Sequence, residues 1–334
     1  MRILLASKTM GVGGLERIVV ALARELQSRG HVVWVVSSGG NLVAELERMG
    51  TRHVSAPLDV TSPIGVAQSV RQVRRLIVEH HIDLVHSFSA TASLAVNLAL
   101  RVRAANGLDS VRLVSSPMGL QNSPRELHVT TWLRNWFLAL GAEQILVISP
   151  EIRRHLKGVG AREEVLVDFN FVGLDVDAFR PTDPSQPSHD HYAAVRREFG
   201  FPSDALIVST IGALHPRKSH ELFIQAAVTI SAAQPRARFL VIGGGDLLAE
   251  LQGVVRRTSR LDGRLVFTGV REDIARLLSA TDVYVKPGVV EGFVGITVLE
   301  ALALGKPVIA FETEDVKLAL TDGETGLIVP NGDV

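Results

Sequence analysis

The chain has 334 residues, a length that fits two domains of about 150 residues better than one or three. Lysine plus arginine and aspartate plus glutamate each number 35, so no net charge draws the whole molecule to nucleic acid or to an anionic membrane. Cysteine is absent from the sequence, which excludes disulfides, thiolate metal ligands and a cysteine nucleophile.

The start of the chain does not have the pattern of a signal peptide, because the apolar run over residues 3–7 is short and ends at Lys8. No run approaches the ~20 apolar residues of a membrane span. The histidines do not show the spacing of metal ligands. We expect a cytoplasmic protein without a metal or other cofactor and without a nucleic-acid partner, and peripheral contact with the cytoplasmic face of a membrane stays open.

Short apolar runs alternate with amphipathic segments in the first half of the chain, a pattern typical of βαβ units with a parallel sheet. Strands are predicted over residues 3–6, 32–36, 84–86, 112–114 and 144–148. Helices are predicted over residues 16–29, 64–79, 92–101 and 132–140. These elements predict a first Rossmann-like domain over residues 1–180.

Residues 181–190 are rich in proline and serine and lack periodicity, so we assign a linker to 181–200. The alternation then restarts, with strands predicted over 205–210, 239–242, 265–267, 283–285 and 307–310 and helices over 220–233, 247–257, 273–279 and 296–304. A second Rossmann-like domain is therefore predicted over 201–334. The predicted fold class is α/β, with two tandem Rossmann-like domains facing each other across a cleft.

Glycine-rich turns join strands to helices at several places. The first contains Gly11, Gly13 and Gly14, and it either admits the phosphate of a ligand or is simply a tight turn. Its spacing is not a clean dinucleotide fingerprint, and Ser37-Ser38 stands where a nicotinamide enzyme needs an acidic residue.

A second such turn begins at Gly212 and contains two adjacent cations, Arg217 and Lys218. A guanidinium fork and a compact ammonium on a strand-to-helix loop suit an anion, and a solvated basic loop is the alternative. The turn Gly243-Gly244-Gly245 is better interpreted as a permissive turn, with Asp246 capping the next helix.

The most informative segment covers residues 286–310, in which a strand leads into a glycine-bracketed loop and then a helix. Backbone N–H groups at the start of this helix, at Gly295, Ile296 and Thr297, suit a diphosphate, because the helix dipole favours negative charge there. Glu300, one turn later, has the right chemistry to accept hydrogen bonds from a ribose. An ordinary exposed glutamate near a helix start is the alternative.

Two features of the first domain leave a functional and a structural interpretation open. His86 ends a predicted strand, where an acceptor or a general base would lie, although most such histidines are structural. A helix with Trp132, Arg134, Trp136 and Phe137 suits a membrane interface, although Trp132 and Trp136 have the spacing of a core stripe.

Taken together and in this order, these segments resemble the family 4, group 1 retaining glycosyltransferases of the GT-B architecture. The resemblance covers nearly the whole chain and rests on the following residues: Gly13-Gly14 with Glu16-Arg17, Val147-Ile148-Ser149 with Leu156, Asn170 with Gly173-Leu174-Asp175 and Phe179-Arg180-Pro181, Lys218, Glu291-Gly292-Phe293, Glu300, and Gly323 with Gly326-Leu327.

The resemblance implies a retaining transferase that moves a sugar from a UDP- or GDP-sugar to a glycan, lipid-linked or small-molecule acceptor. It implies that Lys218 and Arg217 neutralise the departing diphosphate and that Glu291 contacts the donor sugar. The implied donor-binding residues are Gly13, Gly14, Gly212, Gly295, Ile296, Thr297 and Glu300. His86 and Met118 are the acceptor-side candidates. The resemblance implies that the leaving diphosphate is stabilised without a metal.

The sequence departs from the family pattern at four points. Glu291 and Glu300 are one residue farther apart than the family's paired glutamates, Ala213 replaces an arginine, and Met118 replaces a histidine. The chain ends at Val334, before the helices that complete the family's second domain, which predicts that this domain is incomplete. Two alternatives to a transferase therefore stay open: a nucleotide-sugar epimerase or hydrolase, and a non-catalytic sugar-nucleotide-binding protein.

Overall fold

The structure is a computed structural model. It describes residues 1–11, 13–59, 62–101, 108, 110–117, 141–169, 174, 189–288 and 295–333. The chain divides into two compact units, Met1–Gly173 and Leu174–Val334.

The described part of the first unit contains a parallel sheet with the strand order β3-β2-β1-β4-β5-β6-β7. Its strands are β1 Arg2–Ala6, β2 Val32–Ser37, β3 Arg52–Ser55, β4 Leu84–Ser87, β5 Arg112–Ser115, β6 Gln144–Val147 and β7 Leu166–Asp168. Its helices are α1 Gly14–Ser28, α2 Val43–Arg48, α3 Pro63–Glu79, α4 Ala90–Arg101 and α5 Pro150–Gly158, and a 3₁₀ turn covers Glu163–Val165. The predicted helix over 132–140 lies outside the described residues.

The described part of the second unit contains a sheet with the order β10-β9-β8-β11-β12-β13, and all its pairs are parallel. Its strands are β8 Leu206–Ile211, β9 Ala237–Ile242, β10 Leu265–Gly269, β11 Val283–Lys286, β12 Val308–Phe311 and β13 Gly326–Val329. Its helices are α6 His189–Glu198, α7 His220–Ala233, α8 Leu248–Arg256, α9 Ile274–Ser279, α10 Ile296–Ala303 and α11 Val316–Ala319, with 3₁₀ turns at Pro216–Lys218 and Ser259–Leu261.

Both sheets have central strands that are buried on both faces, which explains their continuous apolar runs. In β9, for example, Phe239 and Leu240 are fully buried on opposite sides of the sheet. The alternation of strands and helices predicted the α/β class correctly in each unit.

Helix α6 lies inside the segment 181–200 that the sequence analysis assigns to a linker, so that segment is not linker throughout. Val195 and Phe201 are buried in one cluster with Ile207 of β8. Glu198 accepts hydrogen bonds from Arg271 and Arg276 at 2.8 and 2.5 Å. These contacts join α6 to the second sheet.

Each sheet has one point at which the strand order reverses direction, between β1 and β4 in the first unit and between β8 and β11 in the second. The loops that leave neighbouring strands at such a point run to opposite faces of the sheet and open a crevice at its carboxyl edge. Ligands of doubly wound folds bind in this crevice. These two edges are therefore the expected positions of a functional site.

Candidate functional site

A small pocket lies at the carboxyl edge of the second sheet, where β8 and β11 end. Its polar lining comes from Thr210, Lys218, His220, Tyr284, Lys286 and Thr297. It has room for about 10 Å³, roughly one water molecule, which is also the size of a single phosphate oxygen. Two lysines in so small a space suit an anion.

Lys218 reaches this pocket from the turn between β8 and α7. The turn is fixed by the His215 side chain, whose Nδ1 accepts a hydrogen bond from the Arg217 backbone N–H at 3.3 Å. Ser219 follows in a left-handed conformation, with φ 50°, and ends the 3₁₀ turn. The aliphatic stem of Lys218 packs over Gly212, where a Cβ would lie 3.4 Å from the lysine Cδ. The absence of a side chain at Gly212 therefore leaves room for the Lys218 stem.

The turn at Gly243–Gly245 packs against the loop between β8 and α7. The Leu214 N–H donates to the Gly244 carbonyl oxygen at 2.9 Å. Gly243 has φ +142°, and a Cβ there would lie 2.0 Å from the Gly212 carbonyl oxygen. The prediction that Asp246 caps the next helix is wrong, because α8 has Leu247 at its N-cap and no side-chain cap. The glycines allow two backbone segments to approach closely.

Helix α10 brings Thr297 of its first turn to the pocket. Gly295 is its N-cap residue, and no side chain caps the helix. The Thr297 and Tyr284 hydroxyls are hydrogen-bonded, with 2.6 Å between their oxygens, and Tyr284 is fully buried on β11. The first N–H groups of a helix have no acceptor within the helix, so this end offers donors and a positive dipole end to an anion.

Lys286 is a pocket residue that the sequence analysis did not single out. It ends β11, is 4% exposed, and donates to the Gly288 carbonyl oxygen at 3.1 Å. Its Nζ lies 3.8 Å from Oδ2 of Asp315, which is also buried. A lysine at the end of a strand carries no sequence signal of burial, and its partner is distant in the chain.

The other predicted site residues differ in burial, in position relative to the pocket and in whether the structure describes them. Arg217 is half-buried and is not among the described residues that line the pocket. Glu300 is 7% exposed in the second turn of α10, so it is not an ordinary exposed glutamate. Glu291 lies outside the described residues, and so does Met118 of the first unit.

In the first unit, α1 begins at Gly14 with Gly13 as its N-cap residue. Glu16, in the first turn, accepts a hydrogen bond from the Thr9 hydroxyl at 3.0 Å. One of its carboxylate oxygens lies 2.3 Å from the position of a Cβ on Gly13. A carboxylate there stabilises the helix and opposes a second anion at the same point. The geometry therefore gives less support to a phosphate at Gly13 and Gly14 than at the pocket of the second unit.

His86 lies on β4 at the point where the first sheet reverses its strand order. Its ring stacks on Phe88 with 4.1 Å between centroids, and its Nε2 is hydrogen-bonded to the Ser116 hydroxyl at 2.7 Å. Burial lowers the pKa of His86 to about 4, so the imidazole is neutral at neutral pH. A histidine with so low a pKa is a weak base near neutrality, and it is suited to fix a neighbouring hydroxyl.

We expect the neutral, half-buried His86 to make the protein less stable in acid. The folded-state pKa lies below the ordinary value near 6.5, so the stabilisation is complete above that value and is lost as the pH falls from about 6.5 towards 4. The loss should reach about 3 kcal/mol. Urea unfolding at pH 7.5 and 4.5, compared with His86→Gln, measures it.

The glutamine side chain has donor and acceptor atoms for Ser116 but does not titrate. The pKa of His53 is also lowered, chiefly by burial, and both proteins share that contribution. Equal pH dependence of the two proteins would contradict the assignment to His86.

None of the described helices is long and apolar enough to cross a membrane. In the part of the chain that the structure describes, no three His, Asp or Glu side chains are grouped as metal ligands. The predicted membrane face at 132–137 lies outside the described residues.

Two family models match the chain one after the other. The model described as Glycosyltransferase Family 4 matches residues 12–176, and the model described as Glycosyl transferases group 1 matches residues 205–334. The chain belongs to the family 4, group 1 glycosyltransferases. Apart from β1, which precedes residue 12, the described strands of the two sheets lie within these two matches. The pocket falls in the group 1 match.

One curated relative of the chain is the D-inositol 3-phosphate glycosyltransferase of Mycobacterium tuberculosis (strain ATCC 25618 / H37Rv). It is 30% identical over 199 residues, a stretch that covers 58% of this chain and 39% of the mycobacterial enzyme. The chain thus spans about two-fifths of the length of the curated relatives that it matches.

Solved glycosyltransferase structures share the fold. Anabaena Alr3699/HepE in complex with UDP-glucose has a TM-score of 0.83 at 20% identity, covering 100% of this chain and 86% of that one. The sucrose-phosphate synthase (tll1590) of Thermosynechococcus elongatus has a TM-score of 0.78 at 21% identity, covering 100% and 87%. At these identities the likeness establishes the fold, which is the GT-B type with two Rossmann-like domains.

Proposed function

We propose that the chain transfers a sugar from a nucleoside-diphosphate sugar to a hydroxyl group of an acceptor. The observation that carries this proposal is the meeting of Lys218 with the first turn of α10 at the point where the second sheet reverses its strand order. This arrangement suits a diphosphate, and the family to which the chain belongs supports a sugar nucleotide as its source.

The pocket suits the chemistry of sugar transfer. Breaking the bond between the anomeric carbon and the phosphate oxygen puts negative charge on the leaving diphosphate. An ammonium, a hydroxyl and helix N–H groups that are already in position stabilise this charge without reorganising. We propose that Lys218 and Thr297 carry this role and that transfer needs no metal. Activity that persists in EDTA is the expected result.

We propose a UDP- or GDP-sugar as donor and retention of configuration at the anomeric carbon. The structural neighbour from Anabaena was solved with UDP-glucose, which favours UDP as the first donor to test. For retention, the acceptor oxygen attacks from the face that the diphosphate leaves, so the leaving group itself lies near the incoming hydroxyl. Glu300 is proposed to hold the ribose and Glu291 to contact the sugar.

The acceptor is proposed to bind the first unit, beside His86 and Met118. A glycan, a lipid-linked sugar or a small polyol phosphate fits the family, and the mycobacterial relative is named for an inositol phosphate. Lipid-linked acceptors would bring the protein to the cytoplasmic face of a membrane.

The test is to incubate the protein with a panel of UDP-, GDP- and ADP-sugars and candidate acceptors and to analyse the products by NMR. A new glycosidic bond with the configuration of the donor supports the whole proposal. Donor converted without an acceptor identifies an epimerase or hydrolase instead. Donor bound but never converted, with every acceptor class, identifies a non-catalytic binding protein.

A further inference from the structure

Lys286 is a buried cation in the small pocket at the carboxyl edge of the second sheet. It lines the same pocket as Lys218 and Thr297, and it comes from the strand that also supplies Tyr284. Lys218 comes from the loop after β8, the neighbouring strand, so the two lysines approach the pocket from adjacent strand ends.

The Lys286 ammonium has spare hydrogen-bonding capacity. An ammonium has three N–H donors. Among the described residues, one acceptor lies within hydrogen-bond distance, the Gly288 carbonyl oxygen at 3.1 Å. A buried ammonium in this position is able to donate to an oxygen that enters the pocket.

Asp315 balances the charge of Lys286 at longer range. Its Oδ2 lies 3.8 Å from the lysine Nζ and has no hydrogen-bond partner among the described residues. A buried pair separated by this distance recovers less of its desolvation cost than a pair in direct contact, so it is a poor device for stability. Asp315 does provide a counter-charge for the buried Lys286 ammonium.

The pocket also lacks a cation that related proteins are expected to have. Ala213 stands where the sequence resemblance places an arginine, and Arg217 is not among the described lining residues. We propose that Lys286 is a second cation for the donor diphosphate, balanced by Asp315 until the diphosphate enters. This inference rests on the proposed function.

The test uses the full chain and compares nucleoside diphosphates with nucleosides. UDP, GDP and ADP, and then uridine, guanosine and adenosine, are titrated by calorimetry into the wild type, Asp315→Asn, Lys286→Met and the double variant. Lys286→Met alone leaves a buried carboxylate without its counter-charge, so the double variant is the main measurement. Lys306→Met is the control, since Lys306 is a half-buried lysine that, like Lys286, donates to a backbone carbonyl, that of Ser279.

We expect the double variant to bind the preferred nucleoside diphosphate about ten- to a hundredfold more weakly than the wild type, and the nucleoside equally well. Asp315→Asn should bind the diphosphate at least as tightly as the wild type, because a negative charge near the phosphates is removed. Lys306→Met should keep both affinities.

Two results would overturn the inference while leaving the proposed function intact. One is a folded double variant that binds the diphosphate as the wild type does. The other is an equal loss for nucleoside and diphosphate, which would make the Lys286–Asp315 pair structural. If the wild type binds none of the three diphosphates, the proposed function fails together with the inference.

Discussion

Lys218→Ala is expected to lower kcat/KM for the nucleotide-sugar donor by about 100- to 1000-fold, the usual cost of removing one preorganised donor to developing negative charge. The Lys218 stem is held over Gly212 and its turn is fixed by His215, so little of its conformational entropy remains to be lost on binding. The measurement is steady-state transfer, with donor affinity determined separately by calorimetry.

Two variants show whether the effect belongs to the ammonium in the pocket. Lys218→Arg keeps the charge but spreads it over a planar fork, so partial activity is expected. Lys317→Ala removes an exposed lysine of the same unit that pairs with Glu312, and full activity is expected. If Lys218→Ala retained activity within about threefold of the wild type, the pocket would not bind the leaving group.

The sequence predicted central strands better than edge strands, for a physical reason. The strands absent from the prediction, β3, β7 and β13, all lie at sheet edges. An edge strand is covered on fewer sides, so its apolar run is short and interrupted, as in the exposed Arg52 and Ser55 of β3. Burial of both faces, the source of the sequence signal, is missing there.

The candidate site was predicted in part. Residues that act through backbone geometry, such as Gly295 at the start of α10, follow from the strand-loop-helix pattern. The same pattern does not show whether Arg217 or Lys218 lines the pocket. Successive residues of a 3₁₀ turn point about 120° apart, and the sequence does not say which one faces the sheet. Lys286 was missed because its burial and its pairing with Asp315 depend on tertiary packing.

The second large effect is expected from Gly243→Ala, which should lower the free energy of unfolding by about 3 kcal/mol or more and weaken donor binding together with it. A Cβ on Gly243 would lie 2.0 Å from the Gly212 oxygen and 2.9 Å from its carbonyl carbon. Both are backbone atoms, which no rotamer change moves aside. The φ of +142° is also one that alanine rarely adopts.

The control Gly263→Ala separates the backbone strain of a positive φ from the steric overlap of an added Cβ. Gly263 also has positive φ, +63°, but a Cβ there meets nothing within 4 Å. This control should cost about 1 kcal/mol, the price of a left-handed alanine, and keep donor affinity unchanged. Urea unfolding and calorimetry of the folded variants give both quantities. Equal stability of the two variants would contradict the close approach of the two loops. A larger loss for Gly243→Ala in both measurements would mean that the Gly243–Gly245 turn holds Gly212 and, through it, Lys218 in the position that the diphosphate requires.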